Sequence, residues 1–203
     1  MNMPNKLTLF RMIMVIPFIT LMSISFANSG PNTNFTSIST WPFFVSGLIF
    51  IIAMITDYID GWLARKNNQV TTFGKLFDPL ADKIMTTTAM VFLSLMGIIP
   101  FYLTAIFILR DILVDGFRNL AASKKIDVSA SIYGKAKTMV QSIGITVIFF
   151  VYPIWSSIFG TFSPFVGDYS LFLLNMLIFI ATGLSVVSGV LYFIQIKKHI
   201  NTK

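Results

Sequence analysis

The chain has 203 residues, 55% of them hydrophobic and 11% charged, with 21 phenylalanines, a mean hydropathy of +0.79 and a formal charge of +7. Soluble domains carry about 45–50% apolar and about 25% charged residues, so this composition excludes that class and makes the bilayer the solvent. The absence of cysteine excludes disulfides and thiolate metal sites, and the single histidine, His199, is too remote to found an imidazole site, so any metal must be held by oxygen.

A helix needs about 20 apolar residues to cross about 30 Å of hydrocarbon; several stretches reach that length, and none alternates like an outer-membrane strand. The expected fold is an all-α polytopic membrane protein: one domain over 1–203, with spans at 7–27, 41–65, 71–98, 101–122, 138–159 and 170–196. The first span, preceded by Lys6 and interrupted by Arg11, can also be read as a secretory signal ending at Ser25-Phe26-Ala27, whose removal would leave five spans. The loop that follows, 28–40, is polar and uncharged and reads as an external turn. It contains Asn34-Phe35-Thr36, a glycosylation-type triplet that in so short a loop is more often chance.

Spans two and three meet in the most informative stretch of the chain. It runs Asp57-Tyr58-Ile59-Asp60-Gly61-Trp62-Leu63-Ala64-Arg65, then Gly74, Asp78 and Asp82, and holds four of the eight acidic residues. Glutamate is absent throughout. Carboxylates at the end of apolar segments need compensation by metal, basic groups or water. On helices, Asp57 and Asp60 share one face, as do Asp78 and Asp82, and two such faces can converge. Gly61 and Gly74 permit close approach. Mg²⁺ or Mn²⁺ prefers such oxygens, and two ions about 4 Å apart can bridge a diphosphate, which suits phosphoryl transfer. Arg65 can reach the same face and bind a phosphate. Individually, the residues have plainer readings: Asp78 as an N-cap before Pro79, and Arg65-Lys66 as a topological anchor.

Span four carries Arg110-Asp111-Ile112-Leu113-Val114-Asp115-Gly116-Phe117-Arg118, with its two arginines about 12 Å apart and about 80° around the helix. One reading pairs them with Asp111 and Asp115 inside the bundle or lets them snorkel. The other makes an anion pocket, completed by Lys135 and Lys137 ahead of span five. Every Lys and Arg falls on one side of the six-span topology, and the opposite loops carry only Asp168, so both termini are expected in the cytoplasm. That one-sided basic field suits anionic head groups and phosphates; nucleic acid is not expected, because the basic residues are tied to span ends.

The stretch from Asp57 to Asp82 resembles the complete signature of the CDP-alcohol phosphotransferase family, with all eight fixed positions matched. The resemblance implies a binuclear site for Mg²⁺ or Mn²⁺ on Asp57, Asp60, Asp78 and Asp82, with Asp82 also the general base that takes the proton of the attacking hydroxyl. Gly61, Ala64, Arg65 and Gly74 would shape the nucleotide pocket. Together with Pro4-Asn5-Lys6-Leu7-Thr8-Leu9-Phe10-Arg11, the stretches around Arg110 and Lys135 resemble the branch of the family that makes phosphatidylglycerol phosphate. That branch implies CDP-diacylglycerol as donor, with Asn5 among its contacts, and sn-glycerol 3-phosphate as acceptor, its phosphate on Arg110, Arg118, Lys135 and Lys137. It also implies a homodimer in the cytoplasmic membrane with the site on the cytoplasmic face. Its members usually carry Glu at the position of Asp111 and Ser or Thr at that of Asp115. Inositol phosphate, serine or phosphatidylglycerol as acceptor, and outside enzymes a metal or anion transporter, are the competing readings.

Overall fold

The computed structural model describes residues 3–28, 40–66, 72–123, 132–159 and 169–201, with side chains described at 7–27, 41–59, 80–81, 83–121, 132–154 and 171–197. Among the described residues there are seven helices and no strand: α1 Met3–Asn28, α2 Thr40–Lys66, α3 Thr72–Leu95, α4 Phe101–Ser123, α5 Ile132–Phe159, α6 Tyr169–Leu174 and α7 Met176–Asn201. Four contain stretches long and apolar enough to cross a membrane, at Leu7–Ala27, Trp41–Ile59, Ile132–Ile154 and Met176–Lys197. The shorter apolar stretch of α3 is Lys83–Leu95, and α4 carries Arg110, Asp111, Asp115 and Arg118 along its length. The chain is thus a polytopic α-helical membrane protein. Its two less apolar long helices, α3 and α4, carry Asp78, Asp82, Lys83, Arg110, Asp111, Asp115 and Arg118.

Burial is distributed as a bilayer requires. Ile16, Leu109, Ile112 and Met139 point outward, whereas Arg11, Ser46, Lys137, Gln141 and Asn175 are buried. Apolar side chains gain nothing by leaving lipid, so helices associate through close packing and through polar groups that find partners inside. Phe18 of α1, Phe43 and Phe50 of α2 and Phe149 of α5 are fully buried against one another, with ring centroids 4.9 Å apart for Phe43–Phe149 and 6.0 Å for the edge-on pair Phe18–Phe149. Gly47 makes that contact possible: a Cβ there would lie 2.8 Å from Cβ of Phe149.

One capping reading and two helix boundaries differ from the sequence analysis. α3 begins at Thr72, so Asp78 lies inside the helix and does not cap its start. α5 begins at Ile132, six residues before the expected 138, which places Gly134, Lys135 and Lys137 on its first turns. The expected last span is divided at Asn175 into α6 and α7, although i→i−4 bonds continue through it, Asn175 N to Leu171 O at 3.0 Å and Phe179 N to Asn175 O at 2.9 Å. The Asn175 side chain donates to Ile98 O at 2.8 Å and so ties this junction to the α3–α4 turn. In that turn Gly97 takes a φ of 73°, a conformation strained for other residues, and Ile98 N and Ile99 N both donate to Leu93 O.

α1 packs on α2 and α3, α5 on α2 and α7, and α4 on α3 and α7. α3 is therefore shared between two groups of helices: α1–α2–α3, which carries the aspartates, and α3–α4–α5–α7, which encloses a polar cavity.

Candidate functional site

Asp57 and Asp60 stand near the end of α2, and Asp78 and Asp82 in the first half of α3. Asp57 is the member of the quartet whose side chain is described, and it forms an ion pair with Arg11 of α1. Arg11 is fully buried while Asp57 is 42% exposed, so the guanidinium compensates the carboxylate from the bundle side and leaves its outer side open. An arginine in the middle of an apolar segment is costly unless it is paired, and that cost was the available signal for a pairing of Arg11 that the sequence reading did not assign. The side chains of Asn5, Asp60, Gly61, Ala64, Arg65, Gly74, Asp78 and Asp82 lie outside the described residues.

The donor set suits a hard cation: four carboxylates on two helices, in a chain without cysteine and with its single histidine in the last turn of α7. Among the described residues no group of three acidic, His or Cys side chains gathers, as follows when only one of the four aspartates is among them.

A cavity of about 250 Å³ is bounded by Lys83 and Thr86 of α3, by α4 from Arg110 to Arg118, by α5 from Gly134 to Gln141, and by Ser188 and Tyr192 of α7. Arg110, Arg118, Lys135 and Lys137, picked out from sequence as one group, all line it. Their environments differ sharply. Arg110 donates from Nη1 to Asp111 Oδ1 at 2.9 Å, from Nη2 to Ser188 Oγ at 2.8 Å and from Nε to the Ser185 carbonyl at 3.0 Å, which binds α4 to α7. Gly189 lies against the Arg110 stem, where a Cβ would make an ordinary contact at 3.4 Å. Lys137 is 3% exposed and donates to both Asp111 oxygens, at 2.8 and 2.9 Å, with its ammonium 5.0 Å from the Phe107 ring centroid. Asp111 thus holds two cations at once.

Arg118 and Lys135 are exposed side chains of the cavity and make no ion pair among the described residues. Asp115, which one sequence reading gave to the arginines, is paired instead with Lys83 of α3. Lys83, Thr86, Gln141, Ser188 and Tyr192 line the cavity and were missed from sequence; for Lys83 its place directly after Asp82 was the available signal. Among the described residues, five basic and two acidic side chains face the cavity, an excess of three positive charges. In a low-dielectric wall such an excess attracts a polyanion strongly. The arrangement can bind a phosphate group beside the middle of α3, at Lys83 and Thr86.

A family model described as CDP-alcohol phosphatidyltransferase matches residues 1–191. A protein of Mycoplasma genitalium named CDP-diacylglycerol–glycerol-3-phosphate 3-phosphatidyltransferase is 35% identical, over 95% of this chain and 82% of its own length. Proteins of the same name from Mycoplasma pneumoniae and Rickettsia felis are 34% and 32% identical, over 100% and 98% of this chain and 90% and 97% of theirs.

Proposed function

This chain belongs to the CDP-alcohol phosphatidyltransferase family, and from that premise we propose that it transfers the phosphatidyl group of CDP-diacylglycerol to sn-glycerol 3-phosphate, giving phosphatidylglycerol phosphate and CMP. The observation that carries the choice of acceptor is the cavity beside α3, with three excess positive charges and two cations, Arg118 and Lys135, outside any ion pair among the described residues. An acceptor with its own phosphate suits that cavity; an uncharged alcohol would leave its charges uncompensated.

In this reading Asp57, Asp60, Asp78 and Asp82 hold two divalent cations, Mg²⁺ or Mn²⁺, which when bound supply positive charge to the diphosphate. Gly61 and Gly74 let the CDP moiety approach α2 and α3, with Asn5, Ala64 and Arg65 beside it. Asp82 accepts the proton of the acceptor hydroxyl as its oxygen attacks the phosphorus next to the diacylglycerol oxygen. The bond from that phosphorus to the CMP oxygen breaks, CMP departs with the electron pair, and the proton passes from Asp82 to water. Arg11 holds Asp57 in place from the bundle side. Arg118 and Lys135 bind the acceptor phosphate directly, while Arg110 and Lys137 shape the pocket through Asp111. In this reading the site lies at the cytoplasmic face of the cytoplasmic membrane, which the basic ends of the helices support, and the proposed functional unit is a homodimer.

The test is an acceptor screen with purified protein and CDP-diacylglycerol, following CMP release and the lipid product. Glycerol 3-phosphate should support turnover, and glycerol, serine, inositol phosphate and phosphatidylglycerol should not. Turnover with one of these others in place of glycerol 3-phosphate would reassign the acceptor; no CMP release with any of them would remove the reaction.

A further inference from the structure

The cations of the cavity are not held equally. Arg110 is committed to Asp111, Ser185 and Ser188, and Lys137 to both oxygens of Asp111 and the Phe107 face. Removing either from its place would leave a mostly buried carboxylate short of a partner. Lys83 is different. Its contact with Asp115 bridges α3 to α4, and the two side chains remain 33% and 43% exposed where both line the cavity. An ion pair this open to water is weak and is readily exchanged for a stronger one. A phosphomonoester offers Lys83 more charge than a carboxylate does, within a cavity that already gathers positive charge.

We propose that Lys83 is a third ligand of the acceptor phosphate, resting on Asp115 when the cavity is empty and turning to the phosphate when it is filled. The position of Lys83 gives this a consequence for the reaction. Asp82 precedes it on the same helix, so a phosphate held by Lys83 from α3 and by Arg118 and Lys135 from α4 and α5 stands at a set distance from residue 82. Asp115 sets how tightly the acceptor is taken, because it competes with the phosphate for the lysine. The inference rests on the acceptor bearing a phosphate.

The experiment compares Lys83→Ala, Lys83→Arg and Asp115→Asn with the parent protein, measuring KM and kcat for glycerol 3-phosphate, KM for CDP-diacylglycerol, and thermal unfolding in detergent. Lys83→Ala should raise KM for glycerol 3-phosphate roughly tenfold or more while leaving KM for CDP-diacylglycerol in place. Lys83→Arg should restore most of that loss. Asp115→Asn should do the opposite of Lys83→Ala, lowering KM for glycerol 3-phosphate roughly two- to fivefold, since the lysine is released and not removed. A pair that only ties α3 to α4 predicts something else: both Ala and Asn variants lose stability and change KM in the same direction. That result overturns the proposal, as does an unchanged KM in Lys83→Ala. If Lys83→Ala does not fold, the direction of the Asp115→Asn change decides alone. A parent protein that turns over another acceptor but not glycerol 3-phosphate overturns the phosphate reading itself, whereas a parent active on glycerol 3-phosphate with an indifferent Lys83 overturns only this assignment.

Discussion

Arg110 and Arg118 lie eight residues apart on one helix and line one cavity, yet their replacement by alanine should produce different defects. Arg110→Ala removes two bonds from α4 to α7, to Ser185 O and Ser188 Oγ, and one of the two cations on Asp111. Interhelical hydrogen bonds in membranes contribute about 0.6 kcal/mol each, so the two α7 contacts amount to about 1 kcal/mol. Breaking a buried ion pair costs about 3–5 kcal/mol, a cost reduced here because Lys137 still holds both oxygens of Asp111. The expected loss of stability is about 2–4 kcal/mol, read as a lower midpoint of thermal unfolding in detergent. Arg118 has no ion pair among the described residues and is exposed, so Arg118→Ala should change stability by no more than about 0.5 kcal/mol. Its defect should appear in the acceptor: a charge-assisted bond to phosphate contributes about 1.5–3 kcal/mol, or roughly 10- to 150-fold in KM for glycerol 3-phosphate, with KM for CDP-diacylglycerol little altered. Equal unfolding midpoints for the two variants, or an Arg118→Ala protein with a parental KM for glycerol 3-phosphate, would refute this division between a strut and a ligand.

Chelation of divalent cations should abolish CMP release, and Mg²⁺ or Mn²⁺ should restore it, because four carboxylates on two adjoining helices need more positive charge than Arg11 supplies; full activity in excess chelator would contradict the metal reading. Asp82→Asn should lower kcat by about 10²- to 10⁴-fold with a smaller effect on either KM, as measured by steady-state CMP release, and a near-parental rate would move the base elsewhere. Gly47→Ala should destabilise the fold by about 1–3 kcal/mol in thermal unfolding without touching the KM of either substrate, since its Cβ would stand 2.8 Å from Cβ of Phe149 in the aromatic core.

Much of this was legible in the residues themselves. Long apolar runs identify membrane helices because hydrocarbon tolerates little else, and the spacing of Asp57, Asp60, Asp78 and Asp82 is meaningful because a carboxylate at a helix end near lipid needs a reason. The grouping of Arg110, Arg118, Lys135 and Lys137 could be proposed from sequence, since each is a charge at or inside an apolar segment. Helix ends were less legible. α5 starts six residues before the span expected from sequence, because Gly134-Lys135-Ala136-Lys137 carries two lysines yet is helical in place, with Lys137 turned inward to Asp111.

What the linear order determined by itself is therefore the solvent, the helices and the residue types available for chemistry, all of which depend on local composition and period. Partnership was decided only by the tertiary structure. Asp115 is nearer in sequence to Arg118 than to Lys83, and Asp57 lies 46 residues from Arg11, yet Lys83 and Arg11 are their partners. Arg110 and Arg118 have the same side chain on the same helix and differ because Ser185 and Ser188 of α7 and the carboxylate of Asp111 take up one of them. Electrostatic energy depends on distance and on the surrounding medium, and both are properties of the packed bundle, so which charges are spent on the fold and which are left for a substrate follows from how α3, α4, α5 and α7 meet.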